Sequence, residues 1–142
     1  MKRRQLSKAQ LLPLPADYLQ SLQLRHHLAL AALYRAQVAP AQLALLLGTV
    51  QFAYLLRAPD QDNPKRFRRA ELTLEQCHAR LNAGAPILLP EPECGDLERV
   101  LTDYDTRLAA LPSHRYVDAR AELHHQVFAG RSPIPARRLR AA

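Results

Sequence analysis

Lys65-Arg66-Phe67-Arg68-Arg69 is the run in this chain whose residue types and spacing point most directly to a chemistry. It follows Asn63-Pro64, a cap and first-turn pair, so the four cations fall on the opening turns of a helix. The helix dipole disfavours a cation there by roughly 0.3–1 kcal/mol, and a sequence chosen for stability alone places acids at that end. Free backbone N–H groups at a helix start already favour an anion, and each Arg adds a fork that grips phosphate or carboxylate at two points. Lys65, Arg66, Arg68 and Arg69 are therefore expected to bind an anionic partner, through phosphates rather than bases if that partner is nucleic acid. Phe67 has a core-facing spacing, which removes it as a stacking platform. Neutralisation by Asp60 and Asp62 of the same chain is the competing reading.

Acid–base and metal chemistry have thinner support. Glu75/His78 and Glu122/His125 each set a carboxylate and an imidazole one helical turn apart. The pairs resemble the ligand motif of ferritin-like di-iron bundles, which implies a single Glu from each of two further helices. Glu98 supplies one, but the first two expected helices hold none, so neither a metal nor a cofactor is expected. Arg120 and His125 have an Arg-x4-His spacing that resembles HEPN-type helical ribonucleases; that resemblance implies the two residues meeting across a dimer interface, with the histidine in acid–base catalysis. Ala121 departs from the polar residue that usually follows the arginine.

His26-His27 and His124-His125 are possible ligands, but neighbours on a helix point about 100° apart. One of each pair should face solvent and the other a helix contact. His78 would serve a zinc ion only with His114 or Cys94 folded beside it. No glycine-rich phosphate loop, nucleophile elbow or paired-carboxylate site occurs, and the chain reads as a binding protein rather than an enzyme.

Composition sets the frame for these residues. A length of 142 residues suits one domain, and 48% hydrophobic with 23% charged residues excludes wholesale disorder. A net charge of +7 favours polyanionic partners. The two cysteines, Cys77 and Cys94, build no disulfide framework, which suits a reducing cytoplasm. The start Met1-Lys2-Arg3-Arg4 leads into a stretch too polar for a secretion signal. Arg35, Gln37, Pro40, Gln42 and Gln51 break the Leu/Ala-rich segment from Leu28 to Leu56 below the about 20 residues a membrane span needs, so no membrane is expected as a partner.

Ala, Leu, Arg and Gln dominate, β-branched residues are scattered singly, and no stretch alternates with period two. The chain should be all-α: a five-helix bundle over residues 16–130, between a basic, proline-containing extended arm (1–15) and a basic tail (131–142). The tail carries Arg131, Arg137, Arg138 and Arg140, and the arm Lys2, Arg3, Arg4 and Lys8, which would strengthen a nonspecific electrostatic contact. Helices are expected from about Asp17 to Ala36, Pro40 to Arg57, Asn63 to Gly84, Gly95 to Leu111, and from a cap at Ser113 to Gly130. Ala85 to Glu93, with three prolines, reads as irregular. The expected inward stripes are Phe67, Ala70, Leu74, Cys77 and Leu81; Leu97, Val100, Leu101, Tyr104, Leu108 and Leu111; and Val117, Ala121, His124 and Phe128. The second helix is apolar all round, so it is either central or covered by a partner, and a homodimer through residues 41–57 would cover it.

A helix-turn-helix over Ala29 to Phe52 would present Ala44, Leu45, Leu47 and Gly48 to a DNA groove, with only Gln42 and Gln51 able to read bases. The stretch Leu11-Leu12-Pro13-Leu14-Pro15, then Leu24-Arg25-His26-His27-Leu28-Ala29-Leu30-Ala31-Ala32-Leu33, then Gln42-Leu43 to Leu56, resembles small proteins of plasmids and integrative elements of proteobacteria, some labelled Fis-type regulators. The resemblance implies a mobile-element setting, where small proteins regulate or inhibit larger machines. The sequence thus reads as a cytoplasmic, non-enzymatic binding protein acting on a nucleic acid or nucleoprotein complex. It would be a regulator, or an inhibitor of a host nucleoprotein machine such as an anti-CRISPR protein. The alternative is a HEPN-like ribonuclease using Arg120 and His125.

Overall fold

The computed structural model describes residues 5–57 and 64–135. Lys2, Arg3, Arg4, Asp60, Asp62, Asn63, Arg137, Arg138 and Arg140 lie outside the described residues. Within them the chain is all-α: α1 (Lys8–Leu11), α2 (Ala16–Tyr34), α3 (Pro40–Leu56), α4 (Pro64–Asn82), α5 (Glu91–Ala110) and α6 (Ser113–Phe128). No described helix is long and apolar enough to cross a membrane.

The long helices fall close to the expected bounds because their punctuation works locally. Pro40 opens α3, where the Ala39 N–H donates to the Gln42 side chain at 2.9 Å. Gly84 and Gly130 take positive φ values of 68° and 72° just beyond α4 and α6, the left-handed turn that ends a helix. Ala36 adopts the same region at 56° without a glycine, closing α2 into its turn toward α3.

α5 starts four residues earlier than its sequence suggests, at Glu91 instead of Gly95. Pro92 in the first turn gives up only an N–H that has no helical partner, and Glu91 and Glu93 sit favourably at the positive end of the dipole. Pro90 and Pro92 therefore mark a helix start there, and only the part of the segment before it, with Pro86, is irregular.

α3 is the axis of the bundle. Leu43, Leu46, Val50, Phe52, Ala53, Tyr54 and Leu56 are buried, and the helix packs on α2, α4, α5 and α6. The core stripes of α4 and α5 are met as expected: Phe67, Ala70, Leu74 and Cys77, and Leu97, Val100, Leu101, Tyr104 and Leu108, are buried, with Leu111 just beyond α5. Most of this all-round apolar helix is thus covered from within the chain, while Ala41, Ala44 and Leu45 stay exposed. Gln51 is accommodated because its amide donates to Glu71 at 2.9 Å. Glu71 is fully buried and also accepts from Arg68 and, at 2.5 Å, from the Ser132 hydroxyl.

The described parts of the expected arm and tail, residues 5–15 and 131–135, are held against the bundle. Ser7 and Gln10 form a capping box on α1. Ser113, expected to cap its own helix, instead donates its hydroxyl to the Ala9 and Gln10 carbonyls at 2.9 and 3.2 Å, and its N–H to Leu12 at 2.8 Å. Those carbonyls end α1 without helical partners, which is why a donor is needed there. At the other end the chain turns back after Gly130 and buries Ile134 in the core.

The expected stripe on α6 is displaced by about one residue. Tyr116 is buried and Ala119 and Leu123 pack on the core, whereas Val117 and Phe128 are 60% and 95% exposed. Tyr116 takes the inner position because its ring packs edge-on against Phe52 and its hydroxyl finds a partner, which Val117 cannot match.

Candidate functional site

Three places could do chemistry: the start of α4, a groove between α2, α3 and α6, and a histidine cluster between α2 and α5. At the start of α4 the cations are already engaged. Arg66 pairs with Asp103 at 2.7 Å, Arg69 with Asp96 at 3.3 Å, and Arg68 with Glu71 and, at 3.6 Å, with Glu75. Lys65, though exposed, is not free either. The described acids come from α4 itself and from the facing side of α5, while Asp60 and Asp62 lie outside the described residues. The charges that looked unfavourable on one helix are matched by its neighbour, so this end of α4 is neutralised in place. Arg131 is exposed beyond α6.

The groove has the opposite electrostatics. Its walls carry Tyr18 and Arg25 from α2, and Tyr116, Arg120 and His124 from α6, over a floor that includes Gly48 of α3; its volume is about 320 Å³. No Asp or Glu is among its described lining residues. Neither Arg25 nor Arg120 has an acid partner among the described residues, and both are exposed. Gly48 keeps the floor low, since a Cβ there would meet nothing within 4 Å. Across the groove's two walls the hydroxyls of Tyr18 and Tyr116 are 3.0 Å apart. Burial and that hydrogen bond push the Tyr116 hydroxyl up to about 12, while Arg120 and Arg25 pull the other way, which places both cations in its electrostatic reach.

In the third place, His26 Nε2 lies 2.8 Å from one carboxylate oxygen of Asp105 and His27 Nε2 lies 2.6 Å from the other. His26 is buried and His27 exposed, as helical geometry suggests, yet both side chains reach one acid on α5, with ring centroids 4.6 Å apart. His26 is buried against the edge of Tyr104, and burial lowers its affinity for a proton despite the nearby carboxylate.

The other sequence candidates stay apart. Glu75 faces Arg68, and His78 bonds with Asn82 at 3.3 Å; Glu122 accepts from Gln126 at 2.9 Å, and Glu98 from Tyr34 at 2.8 Å. Among the described residues these groups form no shared ligand set with one another, nor does His78 with His114 or Cys94. Arg120 enters the groove, whereas His125 does not line it. Five residues along a helix is a rotation of about 140°, which explains the separation.

The groove is partly written in the sequence. Tyr116, Arg120 and His124 recur at four-residue steps, and Tyr18 and Arg25 are seven apart, so each set shares one helix face. The apolar stripe drawn one residue off through Val117 and Ala121 concealed that face. Asp105 carries no local signal, because two helices separate it from its partners in the chain. Comparison with protein-family models, curated proteins and solved structures yields no match for this chain.

Proposed function

We propose that this is a small basic binding protein that takes hold of the phosphate backbone of a nucleic acid, alone or within a nucleoprotein complex, through the groove between α2, α3 and α6. The observation that carries the reading is the pair Arg25 and Arg120. Neither guanidinium has an acid partner among the described residues, and both line one acid-free groove, on a molecule whose other prominent basic cluster is matched by its own carboxylates. Redirecting these two arginines to a phosphate breaks no described ion pair, and each offers a two-pronged grip.

The grip is on backbone rather than bases. Tyr116 is buried and packs edge-on against both Tyr18 and Phe52, so its ring is not offered to a base. The floor offers Ala44, Leu45 and Gly48, which read no base edge. A protein with this grip suits a regulator of a nucleic acid, or an inhibitor that occupies a nucleoprotein machine. No specific observation favours the ribonuclease reading, since Arg120 and His125 occupy different faces of α6.

The test is duplex DNA affinity against salt. A double variant, Arg25→Ala with Arg120→Ala, should weaken binding and flatten the log–log slope by about 2, close to 0.9 for each phosphate no longer neutralised. Arg66→Ala with Arg69→Ala should leave that slope nearly unchanged. No binding at low salt, or binding indifferent to the groove variant, overturns the proposal.

A further inference from the structure

We infer that His26, His27 and Asp105 form a binding site for a divalent transition-metal ion of the kind that takes imidazole and carboxylate ligands, zinc being the first candidate. The site is separate from the groove and does not depend on the function proposed for it. Two imidazole nitrogens and a carboxylate oxygen, all within 4.8 Å of one another, are the ligand types such ions prefer.

The arrangement differs from an ordinary one-to-one helix clamp: both Nε2 atoms converge on one carboxylate, 2.8 and 2.6 Å from its two oxygens, so three donor atoms already lie together. A divalent ion bound there would take the place of the protons that bridge those contacts in its absence. His27 adds to the case: one histidine suffices to clamp α2 to α5, yet the second, 49% exposed, also turns its Nε2 to the same acid.

The geometry asks for little movement. Bonds of about 2.0–2.1 Å set ligand atoms about 3.3 Å apart in a tetrahedron, so the two N···O contacts need to open by roughly half an ångström. The half-exposed His27 leaves the outer side of the site to solvent. Three protein ligands with that open side describe a site that keeps a water on the ion.

The experiment uses the full chain, stripped with a chelator and titrated with zinc by calorimetry and with cobalt(II) by visible absorption. One equivalent should bind, with a ligand-field spectrum that reports nitrogen and oxygen donors. His27→Ala and Asp105→Asn should each weaken binding by at least about tenfold. His27 is half exposed, so its removal leaves the core intact, and circular dichroism of each variant checks this. A His124→Ala/His125→Ala variant should bind as the parent does. Absence of stoichiometric binding, or binding lost in the His124/His125 variant but kept in His27→Ala, overturns the inference and leaves His26, His27 and Asp105 as a hydrogen-bonded clamp.

Discussion

The Tyr18 and Tyr116 hydroxyls meet at 3.0 Å, with their rings edge-on at 5.9 Å and 89°. This pair joins α2 to α6, which otherwise touch mainly through α3, and it holds the two groove walls that carry Arg25 and Arg120 at a fixed separation. Tyr116 reaches further inward to Phe52, with ring centroids 5.3 Å apart, so the groove's geometry is tied to the core. A grip on a phosphate backbone depends on such fixed spacing, because each bidentate contact is directional.

Tyr18→Phe should therefore cost about 0.5–1.5 kcal/mol in chemical denaturation, the net worth of one hydrogen bond, and should loosen the groove. Tyr116→Ala also removes a buried ring and should cost about 3 kcal/mol or more.

The same pair sets an alkaline limit. Tyr116 is raised to about 12 in the fold, facing Tyr18 and Arg25 on α2, Tyr104 on α5 and Arg120 on its own helix. The unfolded chain releases that proton near pH 10, the folded one later, so this contribution is complete below about pH 10 and is lost as the pH rises toward 12. Ultraviolet titration should show several tyrosines ionising late, because burial also raises Tyr34 and Tyr104, and Tyr116→Phe should remove one equivalent from that late phase.

Gly48 lies inside a helix, where glycine is roughly 0.5–1 kcal/mol worse than alanine, and no neighbour needs the space. Gly48→Ala should therefore raise stability by about that amount. Gly48→Glu should also be tolerated by the fold, since Glu is a good helix former with open space ahead of it, but it sets a carboxylate among Arg25 and Arg120. Duplex DNA affinity should collapse in Gly48→Glu while the melting temperature holds. A Gly48→Glu protein that binds as before would place the contact elsewhere.

Local chemistry was readable in the chain and long-range matching was not. The starts at Pro40 and Pro64 and the stops at Gly84 and Gly130 rest on residues within a turn of each boundary, so they could be placed from the sequence. The centrality of α3 followed from its apolar surface alone. The fate of Arg66 and Arg69 was not readable, because Asp103 and Asp96 sit on another helix 37 and 27 residues away. His26 and His27 were half readable for the same reason. Their backbone divergence puts His26 inside and His27 outside as expected, but the acid that both reach lies 79 residues from His26.

Glu71 is a buried carboxylate satisfied by Arg68, Gln51 and Ser132, from α4, α3 and the segment after α6. Glu71→Ala leaves a guanidinium and an amide facing an apolar space, and should cost about 3–5 kcal/mol. Gln51→Leu, which removes a donor but leaves the charge paired with Arg68, should cost distinctly less. Equilibrium denaturation of the two variants checks the order.

Ile134 makes the last prediction, because residues 131–142 were expected to form a basic tail and residues 131–135 are the part of it described. Its side chain is 3% exposed, and its N–H donates to the Ser132 hydroxyl at 3.1 Å while that hydroxyl donates to Glu71. One residue thus carries both an apolar anchor and a link to the buried carboxylate. Ile134→Ala should destabilise the protein by about 2–4 kcal/mol, as for other buried aliphatic truncations, and Ser132→Ala by about 1–2 kcal/mol. Because Ile134 and Ser132 share the Glu71 network, the double variant should fall short of the sum of the two. A free tail predicts no change in any of the three, and thermal unfolding of the set separates the two pictures.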